Sequence, residues 1–457
     1  MKLDASSLET LLVVALVAAI APMIASALPP AWRVPQVVIL IFSGILIGPH
    51  VLGLNDTSSV KLLANIGLGF LFLLAGYELD LRLLEAHEGR LAMLGWLVSA
   101  VISLAAVAGL THVGYVHDFI PIALALTTTA LGTLLPILSE NEMLGGQFGR
   151  YVLAAGAVGE LFPIVAISLF LTKRDEFVAI ASLIAIAVAA VLLTTLPRII
   201  GDERVRAIIR QGQRATAQTT LRWSVVLLLG LLALAERFGL DVVLGAVLAG
   251  MVLRTWLQRE DVDAGPLEEK LDAVGYGIFI PIFFVTSGMT LDVPSVVANP
   301  LRLLAFLVLL LVVRGLPSLV IYRKALPRSQ RVQMTFITAT TLPLLIALAE
   351  IGLQDGVMLP SNAAAIVGAG VLSVLIYPAL AVGLARRERG AVGAADAGGP
   401  SAAAGEPPVA MADGAPGADG ARGTGSAPGT DALPGTGGRP GIDGTPGIEE
   451  APGAPAG

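Results

Sequence analysis

Two ionisable residues lie in the middle of long apolar runs, where a charge indicates a functional site. Glu160 interrupts RYVLAAGAVGELFPIVAISLFL, and Arg314 interrupts LRLLAFLVLLLVVRGLPSLVIY. An ionisable side chain at the centre of a bilayer costs at least about 2.5–3.5 kcal/mol, so it is rare unless it binds an ion or a proton. Opposite charges in one buried site are expected to pair, which predicts that Arg314 compensates Glu160. The alternative is a structural ion pair that only joins two helices, although desolvation offsets most of that attraction.

Two threonine runs beside helix breakers form a second candidate site. Residues 127–138 read TTTALGTLLPIL with the breaker Gly132, and residues 338–348 read TATTLPLLIAL with the breaker Pro343. An interrupted helix frees backbone groups that cannot face lipid, so the two interruptions are expected to meet or to line a polar cavity. The alternative is two kinked helices whose threonines bond to their own carbonyls. The hydroxyl groups that could coordinate a cation there belong to Thr127, Thr128, Thr129, Thr338, Thr340 and Thr341.

The composition predicts the elements that hold these residues. The 457 residues are 55% hydrophobic and only 14% charged, with a mean hydropathy of +0.81, whereas soluble proteins are about 25% charged. There is no cysteine, which excludes disulfides and thiol chemistry. Apolar segments long enough to span a bilayer, which takes about 20 residues, predict an all-α polytopic membrane protein. Thirteen segments are predicted: 8–28, 36–54, 60–77, 90–112, 119–138, 149–171, 177–200, 220–238, 240–257, 271–290, 300–322, 331–351 and 360–385.

The distribution of basic residues predicts the topology. With the N-terminus outside, the inside loops and the C-terminal flank contain 20 Lys and Arg residues, and the outside loops contain six. Positive charge favours the cytoplasmic side, so we expect the N-terminus outside and the C-terminus inside. The fifth and twelfth spans then enter the membrane from opposite faces. Similar interrupted helices in that relation are typical of inverted repeats, and they mark the binding site of such transporters.

The chain is expected to divide near residue 389. Residues 1–389 form the predicted transmembrane domain, and residues 390–457, rich in Gly, Pro and Ala, are predicted to be a disordered cytoplasmic tail. No phosphate-binding motif and no metal-ligand spacing occurs, so we expect no cofactor and no metal. Glu78 and Asp80, at the end of the third span, are interpreted as solvated helix-end residues, with a cation-attracting funnel as the alternative.

Three further stretches indicate a family. GILIGPHVLGL (44–54), LGAVLAGMVL (244–253) and FIPIFFVTSGMTLD (279–292) resemble hallmark stretches of the monovalent cation:proton antiporter-2 family of sodium/proton and potassium-efflux exchangers. The resemblance covers about residues 10–385. It implies a transporter rather than an enzyme, with about thirteen helices in inverted repeats, and usually a homodimer. In the family two interrupted helices cross beside the ion-binding acid. Glu160 matches that acid, and Arg314 matches a position where members carry a membrane-embedded Lys or Arg.

One position departs from the family pattern. Many members have a polar or acidic residue before the site acid, and here that residue is Gly159. A single carboxylate predicts electroneutral exchange of one monovalent cation, Na⁺ or K⁺, for one proton in a plasma membrane. The expected partners are monovalent cations, protons, the lipid bilayer and a second copy of the chain, without nucleic acid. A passive ion channel, an organic-solute transporter on the same general fold and an inactive receptor are the alternatives.

Overall fold

A computed structural model describes residues 5–27, 34–54, 58–79, 81–171, 176–200, 218–259 and 265–397. Within these ranges every regular element is a helix. Ten helices there are long and apolar enough to cross a membrane, and three further apolar helices are shorter. Each of the thirteen predicted segments corresponds to a helix or to a pair of half-helices, which confirms the predicted fold class.

We number the spans α1 to α13 in chain order. Their bounds are Ala5–Ala27 (α1), Gln36–Ile47 (α2), Ser58–Glu78 (α3), His87–His112 (α4), Phe119–Ala125 with Leu131–Glu140 (α5), Gly146–Phe170 (α6), Glu176–Ile200 (α7), Thr219–Arg237 (α8), Val242–Arg259 (α9), Gly265–Met289 (α10), Pro300–Lys324 (α11), Arg328–Ala339 with Pro343–Gln354 (α12) and Pro360–Ala397 (α13). Helix α13 thus extends beyond the predicted domain boundary at residue 389, and the predicted tail from residue 398 onward lies outside the described residues.

The three family-like stretches are places where helices pack closely. A Cβ atom at Gly44 of α2 would lie 3.0 Å from the Cα of Gly288 in α10. A Cβ atom at Gly250 of α9 would likewise lie 2.8 Å from the carbonyl carbon of Gly76 in α3. Lipid gives little hydrophobic drive for association between helices, so small residues that let backbones approach are important for packing. These glycines therefore hold α2 against α10 and α3 against α9.

Helices α10 and α11 each contain one π-helical turn. The turns are Gly275–Phe279 in α10 and Leu311–Gly315 in α11. Each turn comes shortly before a proline, Pro281 or Pro317, whose ring clashes with the carbonyl four residues earlier and which lacks an N–H donor. π-Turns often occur at functional sites, and the second one contains Arg314.

The interruptions of α5 and α12 lie at equivalent places. In α5 the helix ends at Ala125 and resumes at Leu131; in α12 it ends at Ala339 and resumes at Pro343. Pro343 is the first residue of its half-helix, as its missing N–H group favours. Gly132 does not cause the break in α5, because it lies inside the half-helix Leu131–Glu140. The predicted breaker is corrected: the non-helical residues precede it.

Candidate functional site

The two interrupted segments cross and bond to each other. The backbone N–H of Ala130 donates to the carbonyl oxygen of Thr340 at 2.9 Å. The hydroxyls of Thr128 and Thr341 lie 2.7 Å apart, and the hydroxyl of Thr129 donates to the carbonyl oxygen of Thr338 at 2.6 Å. Backbone groups freed by each interruption are thus satisfied by the other segment, as their burial requires.

The six threonines divide between local and cross-helix bonds. The hydroxyls of Thr127, Thr338 and Thr340 donate to carbonyls of their own helices, those of Leu124, Met334 and Phe336. The hydroxyls of Thr128, Thr129 and Thr341 reach the opposite segment, and that of Thr128 also contacts the carbonyl oxygen of Ala125 in its own segment. The structure therefore combines the two interpretations of the threonine runs: three threonines bond back to their own helix, and the other three join the segments.

A residue of α13 that the sequence analysis did not single out also supports the crossing. The hydroxyl of Ser373 donates to the carbonyl oxygen of Thr341 at 2.8 Å and accepts the backbone N–H of the same residue at 3.1 Å. One fully buried serine thus satisfies both backbone groups of Thr341. The only signal in the sequence is a serine within an apolar run, which is common in membrane helices.

Glu160 lies beside the crossing at the wall of a large cavity. Its side chain is nearly buried, at 6% exposed, and it lines a cavity of about 1010 Å³. The backbone N–H of Leu131, at the start of the second half of α5, faces its carboxylate. Among the described residues, no side chain forms an ion pair or hydrogen bond with it. This carboxylate is therefore available to a proton or a cation that enters the cavity.

Arg314 contacts the crossing without pairing with Glu160. Its guanidinium, in a residue only 3% exposed, donates from Nε to the hydroxyl of Thr129 at 2.9 Å and from Nη2 to the carbonyl oxygen of Ala155 at 3.0 Å. In the described part of the chain it makes no ion pair with Glu160. The predicted direct pairing is therefore replaced by contacts that join α11 to α5 and α6.

Gly159 makes this arrangement possible. A Cβ atom at this position would lie 2.5 Å from Nη2 of Arg314 and 2.6 Å from the hydroxyl oxygen of Thr129. The Thr129 N–H also donates to the Gly159 carbonyl oxygen at 2.9 Å. In this structure Arg314 and Thr129 fill the space that a side chain at position 159 would need.

A second, smaller cavity lies at the far end of α12. Its volume is about 250 Å³, and Lys61, Thr286 and Glu350 are among the residues that line it. The hydroxyl oxygen of Thr286 is buried and has no hydrogen-bond partner within the described residues. Glu160 does not line this cavity.

Comparisons with known proteins agree with this geometry. The profile of a family described as "Sodium/hydrogen exchanger, transmembrane" matches residues 12–383. A putative Na⁺/H⁺ antiporter, YjbQ of Bacillus subtilis, is 26% identical over 402 residues, which are 84% of this chain and 64% of that protein. The glutathione-regulated potassium-efflux system protein KefC of an Enterobacter species is 28% identical over 364 residues, 76% of this chain and 56% of that protein. The chain thus spans less than two thirds of these two relatives.

The fold also matches a solved structure. The sodium proton antiporter MjNhaP1 of Methanocaldococcus jannaschii superposes with a TM-score of 0.63 and covers 83% of this chain and 98% of its own. The sequence identity is 18%, so the likeness establishes the fold.

Proposed function

We infer the function of this protein from the premise that the chain belongs to the sodium/hydrogen exchanger family, and we propose that it is a secondary active antiporter. A monovalent cation, Na⁺ or K⁺, moves in exchange for protons across the membrane. The observation that carries the proposal is Glu160, a buried carboxylate that lines a cavity beside the crossing of two interrupted helices. The named relatives include sodium/proton antiporters and a potassium-efflux system, which supports either cation.

The exchange follows from competition for one carboxylate. Glu160 can hold a proton or a cation, and the bound species is released when the cavity closes on one side and opens on the other. The threonine hydroxyls at the crossing keep acceptor lone pairs even where they donate, so Thr128 and Thr341 can add oxygen ligands to a dehydrated cation. The N–H of Leu131, at the positive end of a half-helix, favours the ionised form of the site.

We propose that the exchange is electroneutral, with one proton per cation. Gly159 supplies no second acid next to Glu160, and Arg314 keeps that space filled. Trading one positive charge for another moves no net charge. An electrogenic cycle would be biased by about 2.3 kcal/mol per 100 mV, roughly 50-fold in the equilibrium ratio. A reversal gradient that is the same at zero and at a large membrane potential supports electroneutrality, and one that moves with voltage contradicts it.

We propose an orientation in a plasma membrane with the N-terminus outside and the C-terminus in the cytoplasm. The 20 basic residues on one side against six on the other support it. The rim of the large cavity, with Asn141 and Arg386, would then face the cytoplasm. Proteolysis of a C-terminal tag in right-side-out and inside-out vesicles tests the orientation.

We also propose a homodimer and a dispensable tail. The family resemblance supports the dimer, and apolar side chains such as Leu12 and Val191 point outward from α1 and α7, where lipid or a second copy can cover them. The composition after residue 397 supports a tail without transport residues. Mass measurement in nanodiscs tests the dimer, and deletion of residues 398–457 should leave the exchange rate unchanged.

Reconstitution tests the antiport itself. Proteoliposomes with an imposed pH gradient should show proton flux that depends on Na⁺ or K⁺, and Li⁺ serves as a third cation for comparison. A channel would pass the cation without proton counterflow, and an organic-solute transporter would show no cation dependence.

Glu160→Gln is the decisive variant. The amide keeps the volume and hydrogen bonding of the carboxylate but cannot titrate, so cation-dependent proton flux should disappear while the protein still inserts and purifies. Glu236→Gln, which removes an exposed carboxylate of α8 that lines neither cavity, is the matched control and should exchange like wild type. Wild-type exchange by Glu160→Gln would overturn the proposed function.

A further inference from the structure

A second carboxylate shares the cavity of Glu160. Glu78, the last residue of α3, lines the same cavity. Its Oε2 lies 4.0 Å from the position that a Cβ at Gly132 would take, in the first turn of the half-helix Leu131–Glu140. The N–H of Leu131 faces Glu160 at that same turn. Both carboxylates thus converge on one helix end, where free N–H groups carry partial positive charge.

Two independent observations indicate that this end receives a positively charged ligand. Glu160 is nearly buried, lines the cavity and has no side-chain partner in the described part of the chain. Glu78 likewise forms no ion pair with a described residue. The cavity therefore presents two carboxylates with which no described side chain forms a direct ion pair.

The surroundings of Glu78 favour capture of a positive charge. Two carboxyl groups of α10, those of Glu268 and Asp272, lie close enough to interact with it electrostatically. Tyr276, also on α10, interacts with both Glu78 and Glu160. Among the described residues, the cation that acts on Glu78 is Arg254 of α9, whose Nη1 donates to the backbone carbonyl of Tyr77 at 2.8 Å. Glu78 and its two acidic neighbours outnumber this arginine, so this part of the cavity attracts cations.

Position along the membrane gives the two carboxylates different tasks. Glu78 stands at the end of its span, whereas Glu160 stands in the middle of α6. We propose that Glu78 is a relay carboxylate of the transport pathway, which takes a cation or a proton from the open side of the cavity and passes it to Glu160. This rests on the proposed antiport, and it corrects the interpretation of Glu78 as only a solvated helix end.

The test compares Glu78→Gln with wild type in proteoliposomes. We expect the KM for the cation to rise about tenfold. This is the loss of affinity expected when one negative charge about 10 Å from the cation is removed, at an effective dielectric constant of about 20. The maximal exchange rate should stay within about twofold of the wild-type rate, and the cation gradient at which proton flux reverses should remain unchanged. The pH profile at low cation concentration should also change, because the variant removes the carboxyl group of Glu78. The charged and polar groups that face it, those of Glu160, Glu268, Asp272, Tyr276 and Arg254, remain.

Glu85→Gln is the matched control. Glu85 is exposed, follows α3 closely in the chain and does not line the cavity, so its loss removes one negative charge near the same end of the span without touching the pathway. Its KM should equal that of wild type. Glu78→Asp, which keeps the charge on a shorter side chain, should raise the KM less than Gln does, and it serves as the test if Glu78→Gln does not fold.

Two results would overturn the relay. An unchanged KM and pH profile in Glu78→Gln, or in Glu78→Asp where only that variant folds, would show that Glu78 does not meet the transported ions. A changed cation-to-proton ratio would show that Glu78 carries a stoichiometric proton instead. Failure of the antiport proposal looks different, since wild-type protein would then show no cation-dependent proton flux.

Discussion

The half-helices that follow the two interruptions resemble each other in sequence but adjoin cavities of different size. Leu131–Glu140 borders a cavity of about 1010 Å³ that reaches Glu160 and Glu78, whereas Pro343–Gln354 carries Glu350 at a cavity of about 250 Å³ that does not reach Glu160. Inverted repeats place corresponding interrupted helices so that they enter the membrane from opposite faces. Under the proposed antiport, this difference corresponds to a conformation that opens Glu160 to one face of the membrane, and transport requires a second conformation in which the relation is reversed.

The largest effect should come from Gly159→Ala, because the added methyl group strikes the crossing that both half-helices share. Its Cβ would lie 2.5 Å from Nη2 of Arg314 and 2.6 Å from the Thr129 hydroxyl. Overpacking of this kind costs about 1–3 kcal/mol. We expect exchange to be lost or severely reduced and thermal stability in detergent to fall.

Gly230→Ala is the control for that change. Gly230 also lies within a membrane helix, α8, but an added Cβ would meet nothing within 4 Å. Its exchange rate and thermal stability should equal those of wild type. Equal behaviour of the two variants would mean that Arg314 and Thr129 can move away from Gly159, and that the crossing is not rigid.

The sequence predicted the repeated interruptions and the number of spans, because each is set by local signals such as a threonine run beside a breaker or a long apolar run. The role of Glu160 as the site acid stays a prediction, which its burial at the wall of the larger cavity supports. The sequence could not predict the partners of Arg314. Those depend on a π-turn and on the space that Gly159 leaves, which arise only when α5, α6 and α11 pack together. The sequence also could not decide between a solvated helix end and a cation-attracting funnel at Glu78, since the position of a helix end relative to a cavity is a tertiary property.

Replacement of Arg314 tests whether it acts on the crossing or on the charge of Glu160. Because its guanidinium bonds to Thr129 and Ala155, we expect Arg314→Ala to lower the maximal exchange rate without moving the pH midpoint. Arg314→Lys keeps the charge but lacks the rigid fork that reaches both oxygens, so it should recover little of the rate. If Arg314→Ala shifted the pH midpoint of exchange and Arg314→Lys restored it, the positive charge of Arg314 would be shown to act on Glu160 from a distance.

Access to the two cavities can be measured directly, because the chain contains no cysteine. Thr133→Cys places a thiol in the larger cavity and Ser287→Cys places one in the smaller cavity. A membrane-impermeant thiol reagent should label the first variant from the cytoplasmic side and the second from the outer side. The first should also react faster, since its cavity is larger. Labelling of both from one side would break the assignment of the cavities to opposite faces.

The smallest effect should come from Asp241→Asn, at the start of α9. The pKa of Asp241 is raised from an ordinary value of 3.8 to about 6, mainly by burial. A hydrogen bond from the backbone N–H of Val243 opposes the rise, and the nearby Asp355, just after Pro343–Gln354, adds to it. A carboxyl group with a raised pKa in the folded state contributes stability below its unfolded pKa, and that contribution is lost as the pH rises through about 6.

Asparagine keeps the side-chain oxygen that accepts the Val243 N–H but cannot ionise. Relative to wild type, the variant should therefore gain about 1 kcal/mol of stability as the pH rises from about 4 to about 7. A shift of about two pKa units would give about 3 kcal/mol in full, and the smaller figure allows for solvent screening of a side chain that is only partly buried. Thermal unfolding midpoints of both proteins at pH 4.5 and pH 8 measure the difference. The pH profile of exchange should not change, because Asp241 lines neither cavity. A shifted pH profile of exchange would show that the charge of Asp241 affects the transport site. The two half-helices would then be coupled more closely than their separate cavities indicate.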